Sequence, residues 1–382
     1  MVGGVIRLRT LYINGKVAID GKLNKTSILV ENGFFTKIAP EIKPESPYET
    51  IDIGGMTVIP GLFDIHTHGA AGFDFNMASI EGMHVIMDFY LHNGLTSVLP
   101  TVMTDDIFTM TEQLKKIAIL ARSFPAIRGV NLEGPFLSPA HKGAMPEKFI
   151  LEPDYELFQK LQKASNNMIR LITVAPETKG ALDFIEQVVK DGVTVSLGHS
   201  GASYDVTMEA IKRGARSFTH AFNAMQPFNH HNPGIVGAML ASDNYAEMIL
   251  DGKHLDPNTV KMLVKIKGDK LLVITDSIMA TGISDGHFHL GKAEIIVKNG
   301  DARMASDNSR AGSTVNPFKA MMNFCKFTGL SVEKASAYMS THQAHLLGFD
   351  DCIGQIKEGC RADFLLIEDC RLACTYVGGI RI

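Results

Sequence analysis

Four histidines and two acids stand at or just past the ends of short apolar runs. His66 and His68 follow Gly-Leu-Phe-Asp-Ile, Glu133 follows Gly-Val-Asn-Leu, and His199 follows Val-Thr-Val-Ser-Leu-Gly. Ser-Phe-Thr precedes His220, and Leu-Leu-Val-Ile-Thr precedes Asp276. Residues two apart on a strand point to the same side, so the His66 and His68 imidazoles can face one ion. A glutamate that closes an apolar strand is costly to bury unless it is paired or metal-bound. Gathered in one place, these groups offer nitrogen and oxygen ligands to a hydrolytic divalent metal, with Asp276 spare to move protons. Each has a plainer reading alone: an ion pair at Glu133, hydrogen-bonded core histidines at His199 and His220, an N-cap at Asp276. Recurrence on successive strands favours the metal site. A second His-x-His, His287-Phe-His289, lies in a Gly-flanked stretch and reads as a hairpin.

Such residues need a frame that brings strand ends together. Over 61–353 the sequence alternates apolar runs with helix-like segments, and eight strands are expected at 62–65, 97–100, 129–132, 171–175, 193–197, 217–219, 248–250 and 271–275. Between them the apolar spacing is helical: over 105–123, Ile107, Met110, Leu114, Ile117 and Leu120 recur at threes and fours after acidic caps. Eight strands with crossover helices predict an α/β protein built on a (β/α)8 TIM-like barrel, with its site at the C-terminal ends of the strands. The alternative, a doubly wound open sheet, lacks a Gly-rich nucleotide loop after its first strand.

The two ends of the chain read differently. Short strands at 8–13, 27–31 and 34–39 are punctuated by Asn14-Gly15 and Asn32-Gly33, both read as turns. A Pro-rich stretch over 40–47 leads to a strand at 51–59, and alternation returns over 354–382. Residues 1–60 and 354–382 are therefore expected to build one small β-sandwich domain beside a hydrolase domain over 61–353.

A chain of 382 residues with 45% hydrophobic residues can bury a large core. A net charge of -4 gives no basic surface for nucleic acid. No apolar run is long enough for a membrane helix, and residues 1–9 lack the apolar core of a signal peptide. Five cysteines, none in a Cys-x-x-Cys pair, read as reduced thiols of a cytoplasmic protein.

Over almost its whole length the chain resembles the N-acetylglucosamine-6-phosphate deacetylase family of the amidohydrolase superfamily. The resemblance is carried by Pro60-Gly-Leu-Phe-Asp-Ile-His-Thr-His-Gly69, Leu132-Glu-Gly-Pro-Phe-Leu137 and Leu197-Gly-His-Ser200. It continues through Thr219-His-Ala-Phe-Asn-Ala-Met225, Asp251-Gly-Lys-His254 and Thr275-Asp276, with the less specific Gly354-x-Ile-x-x-Gly359-x-x-Ala-Asp363 near the end. It implies hydrolysis of the acetamide of N-acetylglucosamine 6-phosphate to glucosamine 6-phosphate and acetate, with one or two divalent ions, among which Zn, Fe, Mn and Co all suit the donor set. Glu133, His199 and His220 would bind the principal ion, and His66 and His68, with Glu133 bridging, a second. Asp276 would be general base and then general acid. Peptide nitrogens around Asn223 and Ala224, with His254, would contact the sugar and its phosphate. A homodimer is implied by a phosphate contact that crosses between subunits.

Two positions depart from the family pattern. In His230-His231-Asn232-Pro233-Gly234, His231 stands where the family commonly carries the subunit-crossing arginine. Met145, twelve residues after Glu133, stands where a polar residue often touches the acetamide carbonyl, with His141 or Lys142 as possible replacements. These departures keep other readings open: N-acetylgalactosamine 6-phosphate or an unphosphorylated N-acyl compound as substrate, or a binding or regulatory homologue with impaired catalysis.

Overall fold

The structure, a computed structural model, describes residues 9–44 and 48–382. Leu8 and Pro47, which fall within the expected first strand and the Pro-rich stretch, lie outside the described residues. All eight expected barrel strands occur, at Leu62–Thr67, Leu95–Met103, Val130–Glu133, Ile169–Val174, Thr194–Leu197, Ser217–Phe218, Tyr245–Ile249 and Leu271–Ile274. Each pairs in parallel with the next in chain order. Their continuous apolar character follows from burial on both faces. The pleat sends alternate residues to opposite sides: Ile172, Met248 and Val273 pack under the helices, whereas their neighbours Leu171, Ile249, Leu272 and Ile274 join a separate cluster with Phe63 and Ile65. The helix Thr341–Leu347 adds Ala344 and Leu346 to that second cluster, and His342 Nδ1 meets the carbonyl of Leu271 at the start of the eighth strand.

Between the last strand and the first, the backbone amide of Asp276 donates to the His66 carbonyl at 2.9 Å. Asp64, fully buried, ties the same seam. Its carboxylate accepts from the His66 and Thr275 amides, each at 3.1 Å, and from the Thr275 hydroxyl. Burial pushes the Asp64 carboxyl up to about 7 despite those donors.

The helix expected over 105–123 settles at Ile107–Leu120. The Asp106 side chain accepts from the Thr109 amide as its N-cap, and Met110, Leu114, Ile117 and Leu120 are buried. Beyond the eighth strand, three antiparallel strands, Gly286–Leu290, Ala293–Lys298 and Asp301–Met304, form a separate sheet. His287 and His289 lie on its first strand, on an exposed face.

Both ends of the chain enter one hydrogen-bonded sheet, with strands Arg9–Ile19, Lys22–Glu31, Phe34–Ala39, Glu49–Asp52, Thr57–Pro60, Phe364–Glu368, Arg371–Val377 and Ile380–Arg381. It has its own core, in which Phe364 stacks on Tyr376 with ring centroids 4.4 Å apart and meets Tyr12 edge-on. Two sequence expectations fail here for one reason. Asn14-Gly15 is not a turn but a bulge within the first strand, where Tyr12 pairs with Ile28 and Gly15 with Thr26. Asn14 adopts φ +62°, and a Cβ on Gly15 would lie 2.6 Å from Ile53 Cδ1. The bulge divides the strand into two pairing segments, one taken by Glu49–Asp52 and the other by Thr57–Pro60. The single strand expected at 51–59 is therefore broken in two, turning at Gly54 and Gly55, both at positive φ.

Candidate metal centre and active site

All six residues from the strand ends meet at one mouth of the barrel. Their backbones explain how. His199, His220 and Asp276 leave the β region for φ of +47°, +29° and +48°, which non-glycine residues seldom adopt and which clusters at functional sites. His66 and Glu133 remain on their strands, and His68 directly follows the first one. The ligand atoms fall into two buried groups, Glu133 with His199 and His220, and His66 with His68 and Asp276, each with its atoms within 4.8 Å of one another.

Glu133 joins the two groups. Its Oε1 lies 3.1 Å from His199 Nε2, 3.1 Å from His220 Nε2 and 3.5 Å from His66 Nε2, while Oε2 lies 3.3 Å from His68 Nε2. Asp276 Oδ1 is 3.0 Å from His68 Nε2 and 3.7 Å from His66 Nε2. Burial works against the charge on both acids. The imidazoles of His66, His199 and His220 nevertheless hold the Glu133 carboxyl well below its ordinary range, and His68 and His66 hold Asp276 below its own.

The residues fit a divalent cation. His199 Nδ1 is 2.9 Å from the His141 carbonyl, and His66 Nδ1 is 2.9 Å from Glu247 Oε2. Each of those partners accepts, which puts the ring proton on Nδ1 and turns the Nε2 lone pair inward. His199 Nε2 and His220 Nε2 then approach to 3.0 Å over a shared carboxylate oxygen. The buried His66 Nε2 has no hydrogen-bond partner among the described residues. Lone pairs gathered so closely call for positive charge between them. Tetrahedral bonds of 2.0–2.1 Å would set neighbouring ligand atoms about 3.4 Å apart, close to the 3.0 and 3.1 Å found around Glu133 Oε1.

Beside this cluster opens a cavity of about 370 Å³, within the range of small-molecule sites. His68, Glu133, His199, His220 and Asp276 line it, with Asn223, Ala224, His254 and Met145. His254 Nδ1 meets Asp251 Oδ2 at 2.8 Å, which fixes the ring. Asn223 is partly committed elsewhere. Its peptide N–H donates to the His220 carbonyl at 3.0 Å and its side-chain amide to the His220 and Ala221 carbonyls, in a turn that leaves Ala224 at φ +49°. Met145 packs into an apolar cluster with Leu137, Ile278 and Leu290, so it is an apolar wall. Of its two possible polar replacements, His141 lines the cavity, whereas Lys142 does not and instead pairs with Glu147 at 3.0 Å. His231 is exposed in the turn over 229–232 and does not line this chain's cavity.

Two acids missed in the sequence support the cluster from behind. Asp64 holds the His66 amide. Glu247, fully buried on the seventh strand, meets His66 Nδ1 and also accepts the His220 amide at 3.1 Å. The available signal was an acid inside an apolar run, in Leu-Phe-Asp-Ile-His and in Tyr-Ala-Glu-Met-Ile. The segment Ser309–Gly312, which follows the three-stranded sheet, also reaches the cavity.

Comparison with known proteins adds to this geometry. The model of the amidohydrolase family matches residues 57–381. The chain is 33% identical over 361 residues to an N-acetylglucosamine-6-phosphate deacetylase of Lysinibacillus sphaericus, covering 92% of each sequence. It is 31% identical over 368 residues to an N-acetylgalactosamine-6-phosphate deacetylase of Escherichia coli O157:H7, covering 95% of each. A solved structure of a mutant N-acetyl-D-glucosamine-6-phosphate deacetylase from Mycobacterium smegmatis, in complex with N-acetyl-D-glucosamine-6-phosphate, superposes with a TM-score of 0.90. It shares 28% identity, and the match covers 98% of this chain and 99% of that one.

Proposed function

Because the chain belongs to the N-acetylglucosamine-6-phosphate deacetylase family of amidohydrolases, we propose that it hydrolyses the acetamide of N-acetylglucosamine 6-phosphate, releasing acetate and glucosamine 6-phosphate. The observation that carries this reading is the meeting of Glu133, His199 and His220 on the wall of a cavity that Asp276 also faces. A divalent cation bound there would supply Lewis acidity towards an acyl carbonyl and make water a stronger acid near neutrality. Glu133, His199 and His220 would hold the principal ion, with His66, His68 and Glu133 available to a second. Asp276, ionised near neutrality, accepts the proton of the attacking water as the carbonyl becomes tetrahedral. It then returns that proton to the sugar nitrogen as the C–N bond breaks. His254, Asn223, Ala224 and the apolar Met145 wall orient the sugar, and the buried setting keeps bulk water from the reacting centre.

The same reading includes a homodimer in the cytoplasm, in which exposed His231 reaches a neighbouring subunit's phosphate. No helix among the described residues is long and apolar enough to cross a membrane.

Acetate release from the 6-phosphates of N-acetylglucosamine and N-acetylgalactosamine and from both unphosphorylated sugars tests the assignment. N-acetylglucosamine 6-phosphate is expected to show the highest kcat/KM. The galactosamine relative supplies the competing outcome, in which the C4 epimer is preferred. No acetate from any of the four would remove the activity altogether.

Glu247 is a positioning residue in this scheme, since one of its oxygens serves both a ring nitrogen and a backbone amide of two ligands. Glu247→Gln is expected to weaken metal binding about 10- to 100-fold, the usual range for groups that orient ligands. Metal competition against a chelator reads this directly; wild-type affinity in the variant would remove Glu247 from the role.

A further inference from the structure

We propose that Arg310 is the cationic contact for the substrate's phosphate within the same subunit, an inference that rests on the phosphorylated substrate proposed above. Among the described residues that line the cavity, Arg310 is the sole arginine or lysine. It arrives from outside the barrel strands, on the segment that returns from the three-stranded sheet to the mouth. Both ends of that segment are tied down. The Ser309 carbonyl accepts from the Met304 amide at 2.8 Å, and the Ser313 amide donates to the Asp276 carbonyl at 2.7 Å. Arg310 is three residues from Ser313, so its Cα lies at most about 11 Å from that anchor beside Asp276. The length of an arginine side chain then covers the span of a hexose from its C2 nitrogen to a C6 phosphate.

The guanidinium is held at one nitrogen but not consumed. Its Nε donates to Asp301 Oδ1 at 3.0 Å, and neither Nη group has a partner among the described residues. Asp301 is also shared with Arg303, whose Nε donates to Oδ2 at 2.9 Å. Two guanidinium groups share that one carboxylate, so Asp301 does not neutralise both. The free Nη donors of Arg310 suit the oxygens of a phosphate, which a planar guanidinium grips in bidentate fashion. His231, by contrast, faces solvent beside His230, with ring centroids 3.8 Å apart.

The experiment is a ratio: kcat/KM for N-acetylglucosamine 6-phosphate over kcat/KM for N-acetylglucosamine, in wild type and Arg310→Met. The ratio is expected to fall about 10- to 100-fold, the loss that follows removal of a hydrogen-bonding partner from a charged group. Most of the fall should lie in KM for the phosphorylated sugar, and Arg310→Lys should recover part of it. If Arg310→Met does not fold, Arg310→Gln is read in the same way. A wild-type ratio in the variant overturns the assignment. So does an equal loss on both sugars, which is what an arginine serving only to hold Asp301 would give. A ratio near one in the wild type sinks the phosphorylated-substrate reading itself, and this assignment with it.

Discussion

Asp276→Asn is expected to lower kcat by about 10²- to 10⁴-fold, the contribution typical of a general acid–base group, while the protein keeps its principal metal. Asparagine has nearly the shape of aspartate but no basic oxygen to take a proton. Burial opposes the charge on Asp276, yet His68 Nε2 at 3.0 Å and His66 Nε2 at 3.7 Å hold its carboxyl below the usual range. The same geometry groups Asp276 with His66 and His68 as a set able to hold an ion, and the variant separates the two roles. A base leaves metal content intact and depresses kcat with little change in KM. A ligand alone would give a fall in metal content, with activity restored by excess metal. Near-normal turnover in the metal-replete variant would end the proton-transfer assignment.

Glu133→Gln is expected to weaken metal binding by about 10²- to 10⁴-fold, in keeping with the roughly 3–5 kcal/mol lost when one partner of a buried ion pair is removed. No other side chain touches so much of the cluster. Its two oxygens lie within 3.1 to 3.5 Å of a ring nitrogen of His66, His68, His199 and His220. Glutamine keeps the shape but cannot supply the negative charge that offsets a dication, and one of its two termini donates where an acceptor is needed. Metal per chain after gel filtration, read beside acetate release, should fall together with activity. Wild-type stoichiometry in Glu133→Gln would place the ion elsewhere.

The barrel was legible because strands buried on both faces write themselves as unbroken apolar runs, and a polar residue ending such a run stands out. Leu271–Ile274 followed by Asp276 shows this most clearly. Glu247 was harder to see. An acid within Tyr245–Ile249 looks like an interruption until the neighbouring strands show that it faces His66 and the His220 amide. Arg310 was invisible for another reason: it reaches the cavity through a three-stranded insertion whose path depends on contacts with Asp276 and Ala302 that no local pattern encodes. At the other end of the fold, Asn14-Gly15 carries the composition of a tight turn. The same left-handed freedom serves equally well in a bulge, and only the pairing of two different strands with Arg9–Ile19 decides between them.

Anomalous diffraction from crystals of the metal-loaded protein is the most direct measurement. The expected result is a peak roughly 2.0–2.3 Å from each of Glu133 Oε1, His199 Nε2 and His220 Nε2. An ion bound away from these three side chains, with their nitrogen and oxygen atoms still in contact only with one another, would contradict a metal-dependent hydrolysis at this mouth of the barrel.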